Sequence, residues 1–255
     1  MPSAPRSFRT PAIILKRRNF DEADRLLTVI TPRHGKLTVI AKGARKPTSS
    51  KTGHVELFTE VDMLINRGRN FEIVSQAEVT QTYVPLREDI QRGAYANYVA
   101  ELLDRFTMMG EEDFASLFSL ISDTFTRLST DNDLRLVVRY YELRLLDITG
   151  FRPELNRCVL TGDAIQPEDQ YFSYADGGVV SPHAAQHSSS RIPISLPVLK
   201  LLRHMQRSPY SHVQSLEVPP ELHQELERLM LGYLTFILER RLQSVDFIRR
   251  IRAQS

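Results

Sequence analysis

The spacing of apolar side chains changes once along this chain, near Pro85, and that change constrains the architecture more than any other feature. Before it, apolar and polar residues alternate; after it, apolar residues recur on steps of three and four. Such a chain builds a sheet module first and helices second, an α+β protein. Residues 12–16 read as a short apolar strand and 26–31 as a second. Leu37, Val39 and Ala41 alternate with Lys36, Thr38, Ile40 and Lys42 in a third. Val55, Leu57, Val61, Met63 and Ile65 fall on one face, with Glu56, Glu60, Asp62 and Asn66 opposite, which predicts a fourth strand over 55–65. Arg67-Gly-Arg69 signals a hairpin into a fifth strand over 71–79. Five short strands with one longer connection predict a closed five-stranded OB-type β-barrel over residues 1–82. Closure also removes the exposed edges that five open strands would leave.

From residue 83 to 255 the reading is an α-helical domain. Tyr95, Val99, Leu102, Leu103 and Phe106 form one helical stripe. Phe114, Leu117, Phe118, Ile121, Phe125 and Leu128 form a second, and Leu134, Val138, Tyr141, Leu145 and Ile148 a third. Gly150 is placed to cap the third helix. Residues 151–191, rich in Pro, Gly and Ser, show no long period and read as irregular. Helical spacing returns at 196–205 and again from Leu222 to Ile237.

Charge is divided along the chain. From Arg6 to Lys51 there are 12 Lys and Arg against 3 acids, whereas the remainder has 21 against 28. A basic first module on an acidic body points to a polyanion ligand. The stretch Lys42-Gly-Ala-Arg-Lys-Pro-Thr-Ser-Ser-Lys51 cannot continue the third strand, because Gly43 permits a turn and Pro47 removes a donor. It displays cations with no acid among them, which suits phosphates. Lys36, Lys42, Arg45 and Lys46 are the expected contacts to the nucleic-acid backbone, with Arg25 and Arg33 beside them. Phe20 is the nearest aromatic residue, so base stacking gains little support in the basic segment. At the other end Arg240, Arg241, Arg249, Arg250 and Arg252 either offset a helix dipole or add a second phosphate contact.

Other classes find little support. No apolar run approaches the length that crosses a bilayer, and residues 1–9 lack the apolar core of a secretory signal. A single cysteine leaves no internal disulfide, so the cytoplasm is the expected compartment. The chain has no Walker-type phosphate loop, no His-Glu-x-x-His and no Gly-x-Ser-x-Gly, and no catalytic residue is assigned. Glu111, Glu112 and Asp113 could hold a metal for nuclease chemistry, but acids at a helix start are favourable without one. Residues 158–162 and 177–184 have the layout of two zinc knuckles in which only Cys158 is a thiol; Thr161, Ser181 and Ala184 fill the other positions. Zinc is therefore not expected, and His183 and His187 joining Cys158 is the less favoured arrangement. Barrel and charge alone would equally permit an OB-fold RNA-binding or translation-associated factor.

Asp21-Glu-Ala-Asp-Arg-Leu26, Gly35-Lys-Leu37 and Lys42-Gly-Ala-Arg-Lys-Pro47 resemble the N-terminal motifs of the bacterial recombination mediator family RecO. So do Gln76-Ala-Glu78, Leu86-Arg-Glu-Asp89 and residues 94–105. Tyr141-Glu-Leu-Arg-Leu-Leu146 and Gly150-Phe-Arg-Pro-Glu-Leu-Asn-Arg-Cys158 resemble the segment leading into that family's zinc motif. The resemblance implies an OB barrel followed by helices and binding of single- and double-stranded DNA. It also implies annealing of complementary strands, and work with RecR to load RecA onto DNA coated by single-stranded-DNA-binding protein. An apolar groove on the helical domain, rimmed by cations, is the expected seat for the acidic C-terminal tail of that last protein. The family's zinc cysteines fall on Cys158, Thr161, Ser181 and Ala184, so three of the four are replaced. A nucleoid-associated, cytoplasmic, non-enzymatic repair factor is the expectation.

Overall fold

The computed structural model describes residues 7–46, 53–107, 113–187 and 191–252. The first five elements are β1 (Ser7–Phe20), β2 (Asp24–Thr31), β3 (Gly35–Ala41), β4 (Thr59–Asn66) and β5 (Glu72–Thr82). They close into a barrel in the order β1-β2-β3-β5-β4. The one parallel seam sets Val39 beside Glu72 and Ile40 beside Ile73. β1 is long enough to serve two neighbours, its first half lying against β4 and its second against β2, with a bulge between Ile14 and Lys16. Alternation sends Ala12, Ile14, Leu27, Val29, Val39, Val61, Met63, Ile65 and Val74 into the barrel, where each is fully buried.

The expected fourth strand needs correcting. β4 begins at Thr59, and residues 55–58 are not strand. Phe58 sits at φ 56°, outside strand geometry, and its N–H donates to the carbonyl of Ile14 at 3.0 Å. Val55 is buried in the barrel core although it is not part of the strand.

α1 (Pro85–Glu88), α2 (Ile90–Phe106) and α3 (Phe114–Thr130) follow, with α2 packed on β1 and α3 on β2. The Asp89 side chain caps α2 by accepting from the N–H groups of Gln91 and Arg92. Asp113 accepts from the Ser116 N–H at 3.1 Å, so this acid caps the start of α3; Glu111 and Glu112 lie outside the described residues. α4 (Leu134–Ile148) ends as expected, with Gly150 at φ 82° and the Phe151 N–H on the Leu146 carbonyl.

The segment read as irregular holds two strands of a small antiparallel sheet, and the third follows directly after it. β6 (Gln170–Ser173) lies between β7 (Gly178–Val180) and β8 (Ile192–Ile194). Strands of three or four residues give no measurable period, which is why the spacing alone did not reveal them. α5 (Leu196–Arg207), α6 (Tyr210–Val213), α7 (Pro220–Leu238) and α8 (Gln243–Arg252) complete the order. Two compact units result. One comprises Met1–Thr130 with Ser244–Ser255, and the other Asp131–Gln243. In the second, α4 packs against α5 and α7, and Phe172 of β6 meets Tyr233 of α7 edge-on at 5.3 Å.

Candidate nucleic-acid interface

Lys42, Arg45 and Lys46 stand exposed on the turn that leaves β3 at one end of the barrel. Gly43 takes φ 66°, and its N–H donates to the Asp24 carboxylate at 2.7 Å. The Arg45 N–H donates to the Ala23 carbonyl at 2.9 Å, and its guanidinium reaches the carbonyls of Asp21 and Glu22 at 3.4 and 3.2 Å. Ala44 points into the barrel core. The cations therefore ride on a turn stitched to the β1–β2 connection. Pro47, the Thr-Ser-Ser run and Lys51 lie outside the described residues.

The expectation of a basic segment free of acid does not survive folding, since the turn lies against Asp21, Glu22 and Asp24. Two of the six named cations also have carboxylate partners far away in sequence. Lys36 donates to the Asp104 carboxylate at 3.0 Å and to its backbone carbonyl at 2.8 Å. Arg25 donates to Glu56 at 2.9 Å, and Arg17 pairs with the same carboxylate. Arg25 lies at the Lys42 end of the barrel, opposite Ala41. Arg33 and Lys36 lie at the other end of β3, roughly 20 Å away along a seven-residue strand. Lys42, Arg45 and Lys46 thus form one group and Arg33 another.

Asp104 is an electrostatic clamp. Burial pushes its carboxyl up, but the hydrogen bonds and charges of Lys16 and Lys36 outweigh this and hold it below the ordinary aspartate value. Glu56 is depressed likewise by Arg25 and Arg17 against the effect of burial. A depressed carboxyl contributes stability that is complete above its ordinary value and fades as pH falls through the lowered one. Asp104→Asn is therefore expected to cost about 1–3 kcal/mol at neutral pH. That difference from the native protein should shrink steadily below about pH 4. Urea unfolding of both proteins at neutral and acid pH measures it; a penalty independent of pH would mean that the clamp is not ionic.

Arg18, Arg69 and Phe71, which the local sequence did not single out as site residues, are also exposed on the barrel, Phe71 against Phe20. Arg18 pairs in register with Leu26, which alternates with the core residue Leu27, so both face outward. Phe20, two residues further on, meets Phe71 at 6.1 Å between ring centres and 70° between planes. Arg69 is exposed on the β4–β5 connection just before Phe71. Among the described residues no ion pair holds the side chains of Arg18, Lys42 or Arg69. The signal that could have found them is tertiary: a closed barrel brings the β4–β5 hairpin alongside β3.

The arginines of the helices serve the protein first. Arg252 donates to the Tyr95 hydroxyl and lies 5.5 Å from that ring's centre, while Arg249 and Arg250 are exposed. Arg144 donates to the carbonyls of Met205, Gln206 and Ser208 and so caps α5.

The zinc-knuckle layout does not fit zinc. Cys158 Sγ accepts from the N–H and hydroxyl of Ser181 at 3.5 and 3.7 Å. Ala184 packs with Cys158, Val180 and Ala185 in an apolar cluster where another ligand would stand. One thiol, two hydroxyls and a methyl group are not a tetrahedral donor set. Among the described residues no three His, Cys, Asp or Glu side chains converge on a metal site. Nor is any described helix long and apolar enough to cross a membrane.

Comparison with known proteins agrees with this architecture. The family model described as Recombination protein O N terminal matches residues 6–83, and Recombination protein O C terminal matches 87–246. A protein of Roseiflexus sp. (strain RS-1) named DNA repair protein RecO is 38% identical over 247 residues, covering 97% of this chain and 87% of that one. Proteins of the same name from Desulforamulus reducens and Moorella thermoacetica are 32% and 33% identical, over 96% and 97% of this chain and 94% and 92% of their own.

Proposed function

The chain belongs to the RecO family of DNA repair proteins, and on that premise we propose that it acts in recombinational repair as a non-enzymatic mediator. In this reading it binds single- and double-stranded DNA and anneals complementary strands without ATP. With RecR it loads RecA onto DNA coated by single-stranded-DNA-binding protein, whose C-terminal tail it grips. The observation that carries the reading is the exposed group Lys42, Arg45 and Lys46 on a turn tied by backbone bonds to a rigid barrel.

Cations held in this way meet phosphates without a large ordering cost. Contacts to phosphate carry no base information, so binding is tolerant of sequence and weakens in salt. Annealing follows from the same physics. Neutralising two backbones lowers their mutual repulsion, and complementary bases then pair spontaneously. Arg33 offers a separate phosphate contact at the far end of β3. Lys36 and Arg25, clamped by Asp104 and Glu56, shape the surface more than they bind from it. No resident metal is needed, since the Cys158 region closes through hydrogen bonds and apolar packing.

The test is annealing of complementary oligonucleotides across a salt series, with the native protein and with Lys42→Glu/Arg45→Glu. The native protein should anneal without ATP and slow as salt rises. The variant should anneal poorly, and the slope of log affinity against log salt should fall by about 2 as two phosphate contacts are lost. A native protein that anneals nothing at low salt would defeat the proposal. An unimpaired variant would move the working surface to Arg249 and Arg250.

A further inference from the structure

We infer that Asp24 is a positioning residue for phosphate binding. Its carboxylate ties down the turn that presents Lys42, Arg45 and Lys46, so an acid inside the cationic surface strengthens the grip on a polyanion. This rests on the DNA-binding reading and deepens it, by naming what holds the cations in place.

Barrel register brings Asp24 to the turn. Asp24 opens β2 beside Arg25, and Arg25 lies opposite Ala41, the last residue of β3. Asp24 is therefore level with the residues that follow β3. Its carboxylate accepts from the Gly43 N–H at 2.7 Å, and among the described residues it forms no ion pair. With three cations within three positions of Gly43, the carboxylate is held by a backbone amide instead.

Gly43 needs that partner. At φ 66° it turns the chain out of β3, past the end of the ladder, where no strand accepts its N–H. A hydrogen bond to an ionised carboxylate is roughly twice as strong as one between neutral groups. The rest of the turn is fastened by other means. The Lys46 N–H donates to the Gly43 carbonyl at 3.0 Å, the Arg45 N–H to the Ala23 carbonyl at 2.9 Å, and Ala44 is fully buried in the barrel. Of these ties, the Asp24 bond is the one made by a polar side chain.

Two effects of opposite sign meet in this carboxylate. Its charge repels a phosphate on the same surface, and that repulsion is screened by salt. Its hydrogen bond fixes the backbone from which the cations extend, so they lose less freedom on meeting phosphates. Freezing one mobile side chain costs about 2- to 12-fold in affinity, and the turn carries three. Positioning therefore outweighs repulsion at physiological ionic strength. Glu22, on the same connection, offers the contrast. Its backbone carbonyl accepts from Arg45, but its exposed side chain makes no hydrogen bond or ion pair among the described residues.

The experiment titrates a mixed-sequence duplex by fluorescence anisotropy, across a salt series, against the full-length native protein, Asp24→Asn, Asp24→Ala and Glu22→Gln. Asparagine keeps an oxygen for the Gly43 N–H and drops the charge; alanine removes both. Asp24→Asn and Glu22→Gln should bind at least as tightly as the native protein. Asp24→Ala should bind about 3- to 10-fold more weakly. Its slope of log affinity against log salt should be unchanged, because no phosphate contact is deleted. In a Lys42→Gln/Arg45→Gln/Lys46→Gln background, Asp24→Ala should leave the residual affinity as it is, since Asp24 acts through those cations. Amide exchange separates this from a loss of folding: Gly43 and Arg45 should exchange faster in Asp24→Ala while β2 and β3 keep their native rates. Three results would each overturn the inference: Asp24→Ala binding as tightly as native, Asp24→Asn binding as weakly as Asp24→Ala, or a barrel loosened throughout. A native protein that does not bind the duplex at low salt would instead overturn the DNA-binding reading beneath it.

Discussion

Glu142→Ala is expected to lower the free energy of unfolding by about 3–5 kcal/mol, the largest loss of any single change discussed for this chain. Glu142 is fully buried on α4, and Arg139, 5% exposed, approaches it one helical turn earlier at 2.9 Å. Two charges taken out of water are stable only through each other and their hydrogen bonds. Removing the carboxylate takes from the buried guanidinium its ion pair at 2.9 Å, and the solvation that the carboxylate supplied is lost with it. The paired replacement Arg139→Met/Glu142→Leu separates the cost of an orphaned charge from the worth of the pair. It should cost clearly less than Glu142→Ala, because it removes both buried charges of the pair together. Denaturant unfolding of the three proteins gives the comparison. A loss below about 1 kcal/mol for Glu142→Ala would mean that solvent reaches the pair.

Gly35→Ala should cost about 2–5 kcal/mol, in two separable parts. Gly35 holds φ 68° where the chain enters β3, a conformation that costs an L-residue about 1–2 kcal/mol. A methyl group there would also lie 2.8 Å from the Phe114 ring, which overfills the contact between α3 and the barrel. The turn cannot relax easily, since the Thr31 hydroxyl donates to the Gly35 carbonyl at 2.9 Å and accepts the His34 N–H at 3.1 Å. Adding Phe114→Leu should restore the steric part and leave the backbone part. The melting temperatures of the native, single and double variants report the partition. Full recovery in the double variant would show that the positive φ carries no cost.

What the sequence revealed divides along physical lines. Long periodic elements were legible: β2, β3 and β5, and helices α2, α3 and α4, stand close to where spacing placed them. Period is set by which face is buried, and a face of four or more positions leaves a clear mark. Residues 55–58 misled because Val55 and Leu57 keep the alternation while Phe58 breaks the strand with a positive φ. β6, β7 and β8 are too short for any period to register.

The site was legible in part. Lys42, Arg45 and Lys46 emerge together because consecutive residues on a turn cannot be parted. The partners of Lys36 and Arg25 lie 68 and 31 positions away, and a local count of charges cannot contain them. Phe71 was missed for the same reason. In sequence it is fifty-one residues from Phe20, and only barrel closure brings the rings together.

The return of α8 to the first unit has a consequence for biosynthesis. Ser244 donates its N–H and hydroxyl to Glu101, and Arg252 reaches Tyr95, so the helix made last among those described completes a unit begun at the first strand. On the ribosome, which delivers the chain from the N-terminus, the barrel and α2 emerge well before this helix. They must wait for all of Asp131–Gln243 to be translated before Glu101 and Tyr95 gain these partners. The first unit to appear is therefore the last to be finished.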